Sequence, residues 1–244
     1  MTTHTEHVEI ASRFCGPPRS GNGGYVAGRI AAPVMTEGGW ATVRLKAPPP
    51  LETALRLESA EGQSRLFHGE TLLGEGRRAE LSMDVPAWPG VERAEAAMAS
   101  YLGFKTHAFP GCFVCGPDRA VGDGLRIFPG ALGDGAVVAS SWLPDASLVD
   151  EHGAVRPEFV WAALDCTGAF AVFPRPEGLT CVLGELSASL PGTAQAGERC
   201  VALGWSLGGE GRKHLAGSAI YGEDGRLIGL ARAVWVDVPL SQWA

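Results

Sequence analysis

The stretch that decides the fold is PEFVWAALDCTGAFAVF, residues 157–173. Its apolar side chains recur at the spacing i, i+3, i+4 and i+7, which predicts an α-helix. Pro157 suits the first turn of this helix, and Pro174 ends it. The helix is apolar on almost every side, so we expect other parts of the chain to surround it.

Segments with strand character surround this helix in the sequence. After it they lie near 180–190, 198–208, 212–222 and 226–237, and before it at 124–128 and 135–143. The first half has the same order of elements: a strand at 7–13, a helix at 23–35, and strands near 41–47, 53–59, 64–69 and 77–84. A helix followed by a series of antiparallel strands predicts an α+β architecture, in which the sheet curves around the helix.

The chain also repeats part of itself. Residues 68–86, HGETLLGEGRRAELSMDVP, align without gaps with residues 221–239, YGEDGRLIGLARAVWVDVP, and six of nineteen positions are identical. Together with the shared order of elements, this predicts two fused units. They span residues 1–90 and 112–244, and residues 91–111 form the linker between them.

Composition narrows the class of protein. With 244 residues, 45% of them hydrophobic and 19% charged, the chain can bury a sizeable core. Its net charge of −7 argues against nucleic acid as a partner. The N-terminus lacks the basic and apolar regions of a signal peptide, and no apolar run is long enough for a membrane span. We therefore expect a cytoplasmic protein that does not bind a membrane.

The six cysteines are expected to be reduced thiols, because a chain of this length does not need a disulfide framework. Cys112 and Cys115 form a lone Cys-x-x-Cys pair, and structural zinc would need two more ligands at suitable spacing. Cys15 and Cys166 are interpreted as small core residues. The sequence therefore predicts no metal and no cofactor.

Three segments resemble known proteins. CFVCGPDRAVGDGLRIF at 112–128 and GRKHLAGSAIYGEDGRLIGLARAVWV at 211–236 resemble the opening turn and closing hairpin of hotdog thioesterase-like proteins. GNGGYVAGRIAAPV at 21–34 is similar to the His-Gly-Gly loop and helix of the phenylacetate-pathway type of acyl-CoA thioesterase. The resemblance implies a double hotdog: two fused units, each with a long central helix wrapped by a curved antiparallel sheet. A homodimer is also expected from it.

The resemblance further implies a single site built from both halves. Asn22 stands where that family has His, and the family's acidic residue, seven positions past the second loop glycine, is replaced by Ala31. The second half has Asp165 at the acid position but Glu158 in place of the loop glycine. In dimers of single hotdog units the loop of one subunit faces the acid of the other. One loop and one acid therefore predict one composite site here.

Thioester hydrolysis assigns a role to each of these residues. Asp165 is predicted to act as the general base to water or as a direct nucleophile. The amide of Gly24 or Tyr25, at the N-terminus of a helix, is predicted to hold the thioester oxygen, and Gly23 allows a close approach. Asn22 is predicted to cap the helix or orient the substrate. Further candidates for substrate binding are Thr167, the aromatic side chains of Tyr25 and Trp161 as parts of an apolar acyl pocket, and, for the phosphates of coenzyme A, Arg212.

Simpler interpretations stay open at this point. Asn-Gly-Gly is often only a turn and a cap, Asp165 would be satisfied by pairing with an arginine such as Arg29, and Thr167 suits a bond to its own helix. The predicted function is hydrolysis of a small or medium acyl thioester such as an acyl-CoA. The alternatives are a non-catalytic protein that binds acyl groups or coenzyme A, and a hydratase or dehydratase. The last is disfavoured because no His follows Asp165 before His214.

Overall fold

The computed structural model describes residues 3–243, which form one antiparallel sheet and three α-helices. The strands are β1 His4–Val8, β2 Trp40–Leu45, β3 Leu55–Ala60, β4 Gln63–His68, β5 Thr71–Ala79, β6 Gly130–Leu132, β7 Val137–Trp142, β8 Leu179–Ser189, β9 Cys200–Glu210, β10 Lys213–Tyr221 and β11 Leu227–Pro239. The helices are α1 Gly23–Ala31, α2 Val91–Ala97 and α3 Pro157–Phe170. None of these helices is long and apolar enough to cross a bilayer.

The sheet has the strand order β1-β3-β4-β5-β2-β8-β11-β10-β9-β7-β6. Strands β2 and β8 pair at its middle, in a register that places Trp40 opposite Ser189. Outward from this pair the order is equivalent on the two sides, with β5, β4, β3 and β1 on one side and β11, β10, β9 and β7 on the other. The repeated segments 68–86 and 221–239 contain β5 and β11, which occupy equivalent places in this arrangement.

Helices α1 and α3 cross at positions where only glycine fits. A Cβ atom on Gly24 would lie 2.3 Å from the Cβ of Asp165 and 2.6 Å from the carbonyl oxygen of Trp161. A Cβ atom on Gly28, one turn later, would lie 2.7 Å from the Cα of Glu158. Because neither glycine has a side chain, the two backbones come into direct contact. This contact places the N-terminus of α1 against the middle of α3.

Helix α3 is buried from Phe159 to Phe170, between the sheet and α1. Phe159, Trp161 and Leu164 are fully buried and belong to the main core. Helix α2 packs on a second, smaller core that contains Val91 and Leu203. The expectation of a helix surrounded by other elements is therefore confirmed for α3. Helix α1, with nine residues, is shorter than the long helix predicted for the first half.

Three predicted strands differ from the structure. The strand predicted at 7–13 lies at His4–Val8, and Ser12–Phe14 forms a short 3-10 turn. Residues 124–128 form no strand, because Arg126 has a φ of 55° and the neighbouring amides bond to the carbonyls of Phe113 and Val114. The strand predicted at 77–84 lies at Thr71–Ala79, since its ladder partner β2 begins at Trp40, opposite Ala79. Beyond that point no strand within residues 3–243 pairs with the chain.

Candidate active site

Asp165 lies in the middle of α3 and meets the N-terminus of α1. Its Oδ2 accepts hydrogen bonds from the Gly24 amide at 2.8 Å and from Nδ2 of Asn22 at 3.1 Å. Its Oδ1 is buried and has no hydrogen-bond partner within residues 3–243. Arg29, considered as a partner from the sequence, pairs instead with Glu6 at 3.4 Å. The first half of the chain thus holds one carboxyl oxygen and leaves the other free.

The ionisation of Asp165 follows from its surroundings. Only 2% of the residue is exposed, and this burial raises the pKa of the carboxyl group to about 7, against the opposing effects of the Gly24 amide and the Asn22 side chain. A carboxyl group with a pKa near neutrality changes between acid and carboxylate close to physiological pH. That property suits a general base, which must take up a proton and then release it.

Asn22 joins the two helices with one side chain. Its Oδ1 accepts a hydrogen bond from the Tyr25 amide at 2.9 Å and so caps α1, while its Nδ2 donates to Asp165. The residue is buried. The predicted capping role of Asn22 is confirmed. Because Oδ1 is held by the cap, Nδ2 of the same side chain is held beside the carboxyl group of Asp165.

Replacing Asn22 with Ala is expected to lower the free energy of unfolding by about 1 to 2 kcal/mol, because α1 loses its cap. Asn22→Ser is the matched control: a serine hydroxyl can cap the helix but does not reproduce the amide donor to Asp165. Urea unfolding of both variants separates the two roles. Equal stability of Asn22→Ala and wild type would show that the cap contributes nothing.

The structure corrects the predicted donors of the oxyanion hole. The Gly24 amide donates to Asp165 and the Tyr25 amide donates to Asn22, so neither points to a substrate. The amide of Gly23, the first residue of α1, forms no hydrogen bond with the described part of the chain. Gly23 also lines the adjacent cavity, which makes its amide the available donor.

A cavity of about 650 Å³ lies beside Asp165, Asn22 and Gly23. This volume is within the range of small-molecule sites. Much of the wall is apolar and comes from α3, β2, β8 and the end of β11; these side chains include Leu45, Phe170, Leu183, Trp235 and Leu240. Asp165 and Gly23 therefore line the same cavity, whereas Gly24 does not line it.

Two of the predicted substrate-binding residues lie in the core and do not line the cavity. Tyr25 is buried and stacks on Phe14, with ring centroids 4.5 Å apart. Trp161 is fully buried where α3 crosses α1. Both were chosen as aromatic residues near the site, but their position on the helices turns them away from the cavity.

The other two candidates are also placed elsewhere. Thr167 is buried, and its hydroxyl donates to the carbonyl of Ala163, at 2.7 Å, which is the simpler role considered from the sequence. Arg212 is exposed in the turn between β9 and β10 and does not line the cavity. The position of Arg212 therefore does not support a contact with the phosphates of a coenzyme A bound beside Asp165.

Several lining residues were missed by the sequence interpretation. Leu102 and residues 105–109, assigned to the linker, form one wall of the cavity. Cys112, Cys115 and Cys166 line it as well. The mixture of aromatic and basic residues in GFKTHAF, 103–109, was the available signal, because plain linkers are usually small and polar.

The sequence matches no protein-family model and no curated protein. In contrast, the fold is similar to that of a protein of unknown function with a hotdog fold from Alicyclobacillus acidocaldarius. The TM-score is 0.60 at 8% identity, over 96% of this chain and 93% of the other. The chain has the hotdog fold.

Two further solved structures are similar over almost the whole chain. The tesB protein of Mycobacterium avium subsp. paratuberculosis has a TM-score of 0.65 at 14% identity, over 96% of this chain and 93% of its own. A putative thioesterase from Novosphingobium aromaticivorans has a TM-score of 0.60 at 11% identity, over 95% of this chain and 94% of its own. At these identities the similarity shows a shared fold, and the activity must be argued from the site.

Proposed function

We propose that this chain is a double-hotdog acyl-CoA thioesterase, which hydrolyses a small or medium acyl thioester at one composite site between its halves. The observation that carries the proposal is the environment of Asp165. One oxygen of this buried carboxyl group is held by Asn22 and the Gly24 amide, and the other is free beside a cavity of about 650 Å³. The names of similarly folded proteins, which include thioesterases, support it.

The proposed reaction uses the free oxygen of Asp165. As a carboxylate it takes a proton from water while the water oxygen attacks the thioester carbonyl carbon. The oxygen of the resulting tetrahedral intermediate accepts a hydrogen bond from the Gly23 amide, where the dipole of α1 favours negative charge. The carbon–sulfur bond then breaks, and Asp165 returns its proton to the departing thiolate. The products are a carboxylic acid and a free thiol.

The walls of the cavity suggest how an acyl-CoA binds. Its apolar side chains suit an acyl group. Lys105 lines the cavity, is exposed, and has no ion-pair partner within residues 3–243, whereas Lys46 pairs with Glu75 at 2.8 Å. An ammonium group without a partner suits a phosphate group. We propose that Lys105 contacts the phosphates of coenzyme A, the role first given to Arg212.

A second candidate is binding of an acyl thioester without hydrolysis. It is favoured by the engagement of the Gly24 and Tyr25 amides inside the protein, which leaves fewer donors for an oxyanion. The third candidate, a hydratase or dehydratase, was linked in the sequence to a histidine that follows Asp165 in the chain. His214, the only histidine considered for it, lies 2.8 Å from Asp237 in a separate cluster.

The experiment that tests the proposal is release of free thiol from acyl-CoAs with short, medium, long and aromatic acyl groups. Binding is followed in parallel through the fluorescence of Trp235 and Trp243, which line the cavity. Catalytic turnover of at least one substrate supports the thioesterase. Saturable binding without thiol release favours the second candidate. Neither binding nor turnover, with the protein folded, overturns both.

Hydrolysis is expected to increase with pH and to reach a plateau above about pH 7, because Asp165 must be ionised to accept a proton and burial raises its pKa to about 7. Below that value kcat/KM is expected to fall about tenfold per pH unit. The profile is measured with a metal chelator present, so that no bound ion alters the local charge. A flat profile between about pH 5 and pH 7 would contradict the role of Asp165 as the base.

A further inference from the structure

The same cavity is lined by a cluster of three cysteines that the proposed hydrolysis does not use. The sulfur atoms of Cys112, Cys115 and Cys166 all lie within 4.8 Å of one another, and all three residues are buried. Each is a free thiol. Cys166 is 54 residues from Cys112 in the sequence and comes from α3, so the cluster exists only in the folded chain.

The spacing of the sulfur atoms matches a tetrahedral zinc site. Zinc binds thiolate sulfur at about 2.3 Å, and two such ligands at the tetrahedral angle are about 3.8 Å apart. The sulfur atoms of Cys112 and Cys166 are 3.8 Å apart in the structure. This pair therefore has the separation that a shared zinc ion requires, and the sulfur of Cys115 lies within 4.8 Å of both.

The loop that holds the first two cysteines supports the same conclusion. Cys112 and Cys115 lie at the two ends of one tight turn, and this turn holds both sulfur atoms within 4.8 Å of the sulfur of Cys166. The turn is closed by a hydrogen bond of 2.9 Å from the Gly116 amide to the carbonyl of Cys112. A Cβ atom on Gly116 would lie 2.5 Å from the Cys112 nitrogen, so the turn requires glycine.

We propose that Cys112, Cys115 and Cys166 bind one zinc ion through their three thiolates, with the fourth coordination position open to the cavity. Three protein ligands and one open position are typical of zinc that takes a ligand from solution. Thiolate ligands also select zinc over hard cations such as magnesium. Nδ2 of Asn22 lies 3.7 Å from the sulfur of Cys166 and adds a hydrogen-bond donor beside the cluster.

This inference revises the expectation of no metal, which was based on the missing partners of the Cys-x-x-Cys pair. Cys166, the third ligand, was interpreted as a core residue because its neighbours in the sequence are apolar. The fourth position needs no ligand from the protein, since it faces the cavity. The proposal does not depend on thioesterase activity, and metal binding is measured without a substrate.

The test is metal analysis of the full-length protein, expressed with added zinc and purified without chelator. One zinc ion per chain is expected. After zinc removal, titration with Co²⁺ is expected to give the charge-transfer absorption of three thiolates and the visible bands of tetrahedral cobalt. These two measurements on the wild-type protein decide whether the chain binds zinc. A protein without zinc, which gives no such cobalt spectrum, would overturn the proposal, as would a disulfide within the cluster under anaerobic purification.

The variants locate the site. Cys115→Ser and Cys166→Ser are each expected to weaken zinc binding by more than the roughly 10- to 100-fold effect of a change outside the ligands. Cys181→Ser is the matched control, because Cys181 lines the same cavity but lies outside the cluster, and it is expected to bind zinc like the wild type. Unchanged binding by a folded Cys166→Ser variant would place the metal elsewhere and overturn the assignment.

Discussion

Replacing Asp165 with Asn is expected to lower kcat for acyl-CoA hydrolysis by about 10²- to 10⁴-fold without unfolding the protein. Asparagine has the same shape, and its oxygen can accept the hydrogen bonds that Gly24 and Asn22 now donate to Oδ2. It cannot take a proton from water or attack the substrate. The measurement is steady-state thiol release with the best substrate of the acyl-CoA panel.

The matched control for this variant is Asp145→Asn. Asp145 caps the short helical turn at Ala146–Leu148, because its Oδ1 accepts a hydrogen bond of 2.8 Å from the Ser147 amide, and it lies outside the cavity. Asparagine caps such a turn as well as aspartate does, so its kcat is expected to equal that of the wild type. Turnover by Asp165→Asn within about tenfold of the wild type would show that this carboxyl group is not the base.

Replacing Gly24 with Ala is expected to lower the free energy of unfolding by about 3 kcal/mol or more. The new methyl group would lie 2.3 Å from the Cβ of Asp165 and 2.6 Å from the carbonyl oxygen of Trp161. Backbone atoms cannot move aside as a flexible side chain can, so α1 and α3 must separate. The hydrogen bond from the Gly24 amide to Asp165 then lengthens or breaks. Urea unfolding followed by circular dichroism measures the effect.

Gly168→Ala, in α3, is the matched control for Gly24→Ala, because a methyl group has room at this position. Its new Cβ would meet the Cβ of Ala216 at 3.4 Å, which is ordinary van der Waals contact. Alanine favours a helix interior by about 1 kcal/mol over glycine, so this variant is expected to be as stable as the wild type or more stable. If Gly24→Ala were as stable as Gly168→Ala, the close contact of the two helices would not limit stability.

Much of the architecture is predictable from local pattern. The spacing of apolar residues predicts the helix at 157–173, and the structure has it at Pro157–Phe170. The repeat predicts that 68–86 and 221–239 are equivalent, and both contain strands at equivalent places in the sheet. The strand predicted at 124–128 fails because its hydrogen bonds go to a distant loop, and a left-handed residue interrupts it. The pattern of apolar residues does not show which backbone groups these residues bond to.

For the candidate site, too, one part could be predicted from the sequence and another part could not. The sequence by itself determined that the first half has a glycine loop without an acid and that the second half has an acid, Asp165, on an apolar helix. Only the tertiary structure decided what each group contacts. The Gly24 amide, expected to bind a substrate, holds Asp165, and Cys166, expected to fill the core, joins a pair of cysteines 51 to 54 residues earlier in the chain. The physical reason is that hydrogen bonding, burial and ligand geometry depend on distances between atoms far apart in the sequence. The crossing of α1 and α3 sets those distances.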